Sequence, residues 1–435
     1  MMLLLSAILI LVLIMLGMSI PYCFLAGSLF FAFAGGGGLN SFASTGYYAL
    51  DAYSMVAMPL FMLAGSLIER SGIAETLVDL GEGMLKKVKG GMGATIPLVS
   101  CFFGALSGSG LATVTTLSTM LGPRLEEKGW DKRYVAAFIA ASGPLGYMIP
   151  PNINAIIYAK VSQASVAALF LATIIPALIW CAAYFVINRV VYTKWYTPVP
   201  EGQASTSSKL VKATTTSRAL KNAIPAFIMP LIILGGIYGG IFTATEAGAV
   251  ACLYGLIVGL FIYKVLKIKD IWKVFLDTGY TIGTLLMIFP MTMIFTRIMV
   301  TNNVPAMITN FIMGISDNKY IIILIINVIL FIAGFFLDAN VLLLVFVPLL
   351  LPTATAIGVS QIQLAVIIFV AIGIGSVTPP MSMCLFVAAR LCKVSVNDIV
   401  RPLIPFILFG ALPVMLLVSY VPFVSEWLPS LIMMR

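Results

Sequence analysis

The chain has 435 residues, 61% of them hydrophobic and only 9% charged, with a net charge of +9 and no histidine. Soluble domains carry about 25% charged residues, so this composition excludes an ordinary soluble fold and points to a polytopic, all-α membrane protein. Imidazole chemistry is excluded outright, and the six cysteines stand singly in apolar segments without CxxC spacing, which argues against a metal centre or a disulfide framework.

Residues 3–16 resemble the apolar part of a signal peptide, but no basic stretch precedes them and no small-residue cleavage site follows, so they are read as the first span. Crossings of about 20 apolar residues are predicted at 2–17, 20–34, 52–69, 134–159, 164–188, 222–241, 246–263, 274–299, 363–389 and 403–425, ten in all. The loop Gly35-Gly36-Gly37-Gly38 reads as a flexible connection; a phosphate loop would need a following lysine and hydroxyl residue. Two more apolar stretches, 92–122 and 320–351, are too long for one span and too short for two. Their polar, small-residue centres make them re-entrant hairpins.

Basic residues lie in short loops, which is a signature of orientation in a bilayer and not of nucleic-acid binding. Lys86, Lys87 and Lys89 precede the first hairpin and Arg124, Lys128, Lys132 and Arg133 follow it, so both its ends are expected in the cytoplasm. The 189–221 linker, with Lys194, Lys209, Lys212 and Arg218, follows there, as do the loops around Lys264–Lys273 and Arg390–Arg401. The second hairpin and both termini then fall on the outer face. Tyr192, Trp195, Trp272 and Trp427 fit an interfacial belt.

Two apolar runs cannot remain helical. Gly143-Pro144-Leu145-Gly146-Tyr147-Met148-Ile149-Pro150-Pro151-Asn152 and Gly373-Ile374-Gly375-Ser376-Val377-Thr378-Pro379-Pro380-Met381 each contain a proline pair, which removes backbone donors and disfavours the helical region for the preceding residue. The pairs are 379 − 150 = 229 residues apart, and the same offset relates Pro123 to Pro352, Gly129 to Gly358, Gly146 to Gly375 and Pro176 to Pro405. This is an internal duplication. Residues 1–188 and 222–435 form the two copies, with 189–221 as a solvated linker, and the odd number of crossings per copy inverts the second. An inverted-topology repeat with two re-entrant hairpins and two broken helices predicts alternating access around a midplane site.

The hairpin centres are Ser107-Gly108-Ser109-Gly110 and Gly334-Phe335-Phe336-Leu337-Asp338-Ala339-Asn340. Beside a broken helix, such tips offer carbonyl and side-chain oxygens to a hard cation such as Na⁺. Asp338 is a functional candidate because an intramembrane carboxylate is expensive; binding Na⁺, carrying a proton, contacting solute and capping the hairpin tip all stay open. Arg297 is either a snorkelling anchor or the partner of a solute carboxylate. Glu246 reads as the acid of a capping box with Thr243. No GxxxxGK[ST] motif is present, which leaves an ion gradient as the energy source.

Together SGSGLATV, GPLGYMIPPN, GIGSVTPPM and GGIFTATEAGAV at Gly239–Val250 resemble the large membrane subunit (DctM-like, M subunit) of tripartite ATP-independent periplasmic (TRAP) transporters over essentially the whole chain. The resemblance implies an elevator-type, Na⁺-coupled symporter in a prokaryotic inner membrane. It further implies a small membrane subunit, expected here as a separate chain, and a soluble periplasmic binding protein that delivers an organic acid such as a C4-dicarboxylate, keto acid, sugar acid or sialic acid. Carried over, one Na⁺ site falls on Ser107, Ser109, Gly143, Gly146, Met148 and Pro150. The other falls on Gly334, Asp338, Gly375, Thr378 and Met381, with Arg297, Asp338, Asn152 and Ser376 toward the solute. Arg297 tilts the resemblance to the sialic-acid branch. A proton-coupled carrier using Asp338, a passive channel and an integral-membrane enzyme are the alternatives, and the last lacks a nucleophile–base pair.

Overall fold

The computed structural model describes residues 1–35, 39–85, 88, 90–197, 216–380 and 382–433. Met381, Lys86, Lys87, Lys89, the glycines at 36–38 and most of the linker (198–215, with Lys209 and Lys212) lie outside the described residues. Among the described residues seven helices are individually long and apolar enough to cross a bilayer, and eight if one bent pair counts as a span.

Each copy follows one plan. Two helices, Met2–Met15 and Ile20–Ala34, precede a bent pair in the first copy, Phe42–Leu50 and Tyr53–Arg70, with the axis turning by 54° between them. An arm helix, Ile73–Leu85, leads to the hairpin Gly91–Ser107 and Gly110–Glu127. The broken helix follows as Lys132–Ser142, a turn at Leu145–Met148, and Ile153–Ser162; Val166–Val191 closes the copy. The second copy repeats this as Thr216–Tyr238, Ala244–Ile257, the 34-residue Ile268–Thr301, the arm Val304–Ile315, the hairpin Lys319–Phe336 and Ala339–Ala356, and the broken pair Gln361–Gly375 and Met383–Leu391. Val396–Phe406 and Leu412–Tyr420 then run on through a π-helical turn, and Phe423–Met433 ends the described chain.

The 229-residue offset carries Ser107 to Phe336 and Gly110–Glu127 onto Ala339–Ala356, end for end. It also lays the bent pair over the single helix Ile268–Thr301, so residues 42–50, which lie outside every predicted crossing, are the helical counterpart of 271–279. Each arm of the second hairpin has 18 residues, roughly 27 Å at 1.5 Å per residue. These arms are longer than the predicted hairpin allowed, because helix continues to Glu127 and Ala356 past the expected ends.

The hairpins enter from opposite ends. Gly46 packs toward Pro290 and Ile294, whereas Arg70 pairs with Asp277 at 2.5 Å, so the bent pair runs antiparallel to Ile268–Thr301. Each of these elements feeds a hairpin through its arm, and the antiparallel arrangement therefore places the hairpin bases at opposite ends. The first base lies at the Lys/Arg-rich end, in agreement with the expected inversion.

Apolar burial does not drive association between helices in lipid, so close packing and buried polar bonds must hold them. In the first copy Tyr134 Oη donates to Asn188 Oδ1 (2.9 Å), and Asn188 Nδ2 donates to the Gly90 carbonyl at the hairpin base (3.0 Å). Gln363, which the offset pairs with Tyr134, donates to the Val418 and Ser419 carbonyls, and Asn327 of the hairpin bonds Ser419 Oγ at 2.9 Å. Each hairpin is thereby tied to the helix that follows its break. Glu246 and Thr243 form the expected capping box.

Candidate functional site

Pro150 and Pro151 have no amide hydrogen, so the carbonyls of Gly146 and Tyr147 lose their i+4 donors and have no other donor among the described residues. In the second break Pro379 and Pro380 orphan the Gly375 and Ser376 carbonyls in the same way. Those carbonyls are recaptured locally, by Thr378 N at 3.3 Å and Cys384 N at 3.1 Å. The Pro150–Pro151 and Pro379–Pro380 peptide bonds are both cis. The first interruption begins earlier, at Gly143-Pro144, where the second copy has Gly373 and stays helical to Gly375.

The first hairpin tip sits directly on its break. Gly108 adopts φ +60°, and a side chain there would reach the Pro151 carbonyl at 2.5 Å and Asn152 Cα at 3.4 Å. Gly104 approaches Gly146 so closely that a Cβ would meet its Cα at 2.7 Å. Ser109 caps the second arm by accepting from Ala112 N (3.3 Å), and its carbonyl accepts from Thr113 Oγ1 (2.8 Å). Ser107, Gly143, Gly146, Met148 and Pro150 are all buried; Gly146 packs against Ser109 and Gly110 of the tip, whereas Gly143 faces Val114 and Cys384. Asn152 caps Ile153–Ser162 through Oδ1 (2.8 Å to Ala155 N), while its Nδ2 is buried without a partner, as are Ser142 Oγ and Ser382 Oγ among the described residues.

The second tip meets its break through Gly334 and Gly375, where a side chain on Gly375 would collide with the Gly334 carbonyl. Asp338 is half-buried and caps Ala339–Ala356: Oδ1 accepts from Asn340 N at 2.9 Å and Asn340 Nδ2 at 2.6 Å. Thr378 Oγ1 donates to the Ile374 carbonyl (2.7 Å) and Ser376 Oγ to that of Gly373 (2.8 Å). Arg297 is separate from this cluster. It is exposed near the end of Ile268–Thr301, with no ion pair among the described residues, one position from Thr296, which bonds the Leu344 carbonyl.

The two breaks touch each other. A side chain on Gly373 would meet Pro144, its own repeat counterpart, at 2.9 Å, which places this pair on the local two-fold axis. Tyr147 reaches across it, with its hydroxyl 3.6 Å from Cys384 Sγ. Sequence reasoning quoted Tyr147 inside its motif and gave it no role, because only the tertiary fold puts Cys384 opposite. Exposure differs sharply between the breaks: Pro150, Pro151 and Asn152 are buried, whereas Pro379 and Pro380 are exposed. Met383 (57% exposed) and Phe386 (45%) continue the open surface along a helix whose far end brings Cys392 within 3.5 Å of a side chain placed on Gly122. The exposed surface beside the second break therefore runs toward the Lys/Arg-rich end.

Paired re-entrant hairpins seated on two broken helices that meet at an internal two-fold define the class: a secondary-transporter fold of the inverted-repeat type. The Alcanivorax borkumensis YdaH transporter, whose crystal structure was described as revealing an unusual topology, superposes with a TM-score of 0.64 over 88% of this chain and 87% of that one, at 13% identity. The family profile "Tripartite ATP-independent periplasmic transporter, DctM component" matches residues 7–424, and the chain belongs to that family. Relatives include the C4-dicarboxylate TRAP transporter large permease protein DctM of Pseudomonas aeruginosa (30% identical, covering 87% of this chain and 86% of that one). The sialic acid TRAP transporter large permease protein SiaM of Vibrio cholerae is also 30% identical, over 91% and 90%. The isethionate TRAP transporter permease protein DctMQ of Oleidesulfovibrio alaskensis is 33% identical over 87% of this chain, which spans only 59% of that protein.

Proposed function

We propose that this chain is the large permease subunit of a Na⁺-coupled symporter that takes up a small organic anion across a prokaryotic inner membrane, with both termini on the outer side. The solute arrives on a soluble periplasmic binding protein, and a small membrane subunit completes the assembly. The observation that carries the ion coupling is the pair of orphaned carbonyls, Gly146 and Tyr147, enclosed beside a tip rich in hydroxyls. Neutral oxygens suit a hard monovalent cation, whose single charge needs no carboxylate to offset it. Ser107, Ser109, Gly146 and the Tyr147 carbonyl would hold it there, and Asp338 with Thr378 would supply oxygens at the second tip. No catalytic step belongs to this reading.

The glycine-tight union of each tip with its break supports motion of both hairpins and both broken helices as one body, the elevator form of alternating access. The exposed second break supports assignment of the observed state as open toward the cytoplasm. Relatives at 30–33% identity include proteins named for isethionate, C4-dicarboxylate and sialic acid, which supports an organic anion as the solute without favouring sialic acid. An exposed, unpaired Arg297 fits a residue met by the anion in a different state of the carrier.

Uptake into proteoliposomes holding the assembled permease tests this. Accumulation is expected only with an inward Na⁺ gradient and loaded binding protein, and counterflow exchange is expected as the mark of a carrier. Full uptake in choline buffer with a proton gradient alone would favour a proton carrier, with the half-buried Asp338 as the candidate residue.

A further inference from the structure

Tyr147 is a side chain that reaches from the first candidate cation site to the second break. It follows Gly146 in the first break, and its own carbonyl is one of the two left without a donor. Its ring lies against Gly110, the first residue of the returning hairpin arm, so closely that any side chain at position 110 would overlap it. Its hydroxyl stands 3.6 Å from Cys384 Sγ in the second broken helix. One residue thus touches the first tip and the second break.

The second copy has no counterpart. The position 229 residues on is Ser376, whose short side chain turns back onto the Gly373 carbonyl at 2.8 Å. The bridge is one-directional, built from the first copy into the second across the Pro144–Gly373 contact. Drawing the Tyr147 carbonyl toward a cation in the first pocket would shift the same residue's ring and hydroxyl, which abut the second break. Aromatic rings are rigid levers with two side-chain torsions, so such a shift would not be absorbed within the residue.

Resting on the Na⁺-coupled reading above, we infer that Tyr147 is a positioning residue that couples the two cation sites, its ring gripping the first tip and its hydroxyl the second break, so that filling one site raises the affinity of the other. The variant that isolates the hydroxyl is Tyr147→Phe, which keeps the ring against Gly110. Tyr158→Phe is the control: it removes another inward-facing hydroxyl, bonded to the Gln361 carbonyl at 2.7 Å and away from both tips.

The test titrates NaCl, against choline chloride at constant ionic strength, into the detergent-purified full chain with its small membrane subunit, and follows the melting midpoint. The parent and Tyr158→Phe are expected to respond with a Hill coefficient approaching 2, and Tyr147→Phe with one near 1 and a half-saturating Na⁺ concentration about tenfold higher. An equally cooperative response in Tyr147→Phe overturns the inference and leaves Na⁺ coupling standing. If the parent shows no Na⁺ response, the Na⁺ reading fails and a double-mutant cycle decides the inference instead. Ser109→Ala and Asp338→Asn, made singly and together, are expected to be non-additive in melting midpoint by on the order of 1–2 °C in the parent and additive in the Tyr147→Phe background. Additivity in both backgrounds overturns it.

Discussion

The first and second copies have nearly the same backbone and unlike chemistry. In the first, the proline pair of the break is buried, the Gly146 and Tyr147 carbonyls have no donor among the described residues, and the hairpin is clamped to its arm helix by charge: Arg124 to Asp79 at 2.7 Å and Lys128 to Glu82 at 3.1 Å. In the second, the break is exposed and its carbonyls are recaptured. The equivalent clamp is a hydroxyl pair, Thr309 to Thr353 at 2.8 Å, with Thr353 standing 229 residues after Arg124. The duplicated backbone repeats the tip-and-break geometry, and the side chains then differ: neutral hydroxyls beside a buried proline pair in the first copy, a carboxylate beside an exposed pair in the second.

Substitution at the tightest contact should have the largest effect. Gly375→Val drives a branched side chain into the Gly334 carbonyl, overpacking that costs about 3 kcal/mol or more. Loss of uptake and of monodisperse protein is expected, whereas Gly334→Ala, whose Cβ would lie 3.3 Å from the Ala371 carbonyl, should retain both. Next comes the charge difference between the tips. Asp338→Asn keeps a side chain able to cap the helix, so the fold should persist while half-saturating Na⁺ in uptake rises about tenfold, roughly 1.4 kcal/mol. Ser109→Ala should raise it only a few-fold, and the reverse order would invert the proposed roles of the two pockets.

The clamps separate by salt. Arg124→Ala should lower stability by about 1–2 kcal/mol at low ionic strength and by less in 1 M salt, whereas Thr309→Val should cost about 1 kcal/mol at any salt. Melting at two salt concentrations checks both. The smallest effect lies outside the membrane, at the start of the first broken helix. Hydrogen bonding to the Arg133 guanidinium holds the Asp131 carboxyl below its usual range, against some burial. A carboxyl whose pKa is depressed on folding contributes stability above its unfolded value of about 3.9 and loses that contribution as pH falls through the folded value. Melting between pH 5 and 3 should therefore fall slightly less steeply in Asp131→Asn than in the parent.

Much of the fold was legible in the chain. Proline pairs forbid helix wherever they stand, and apolar length fixes what can cross a bilayer, so the breaks, the hairpins and the 229-residue repeat are all written locally. The candidate pockets were legible to the extent that glycines and hydroxyls mark where helices open. Other features depended on partners distant in sequence. Residues 42–50 turned out to be helical and bent against 53–70, because their role is fixed by packing on Ile268–Thr301. Arg297 was read as either a snorkelling anchor or a partner of the solute; the structure shows it exposed and without an ion pair among the described residues, since a basic residue near a span end carries no record of which way it faces. Tyr147 acquired significance only when Cys384, 237 positions away, came within 3.6 Å of it.

By itself the sequence determined that this is a duplicated, membrane-embedded chain interrupted at two points, because backbone hydrogen bonding in lipid permits few alternatives. Only the tertiary structure decided that the interruptions meet on a two-fold axis, that one proline pair is buried and the other exposed, and which carbonyls remain unclaimed among the described residues. Those outcomes depend on which distant donor reaches which acceptor, and packing sets that choice where local sequence cannot.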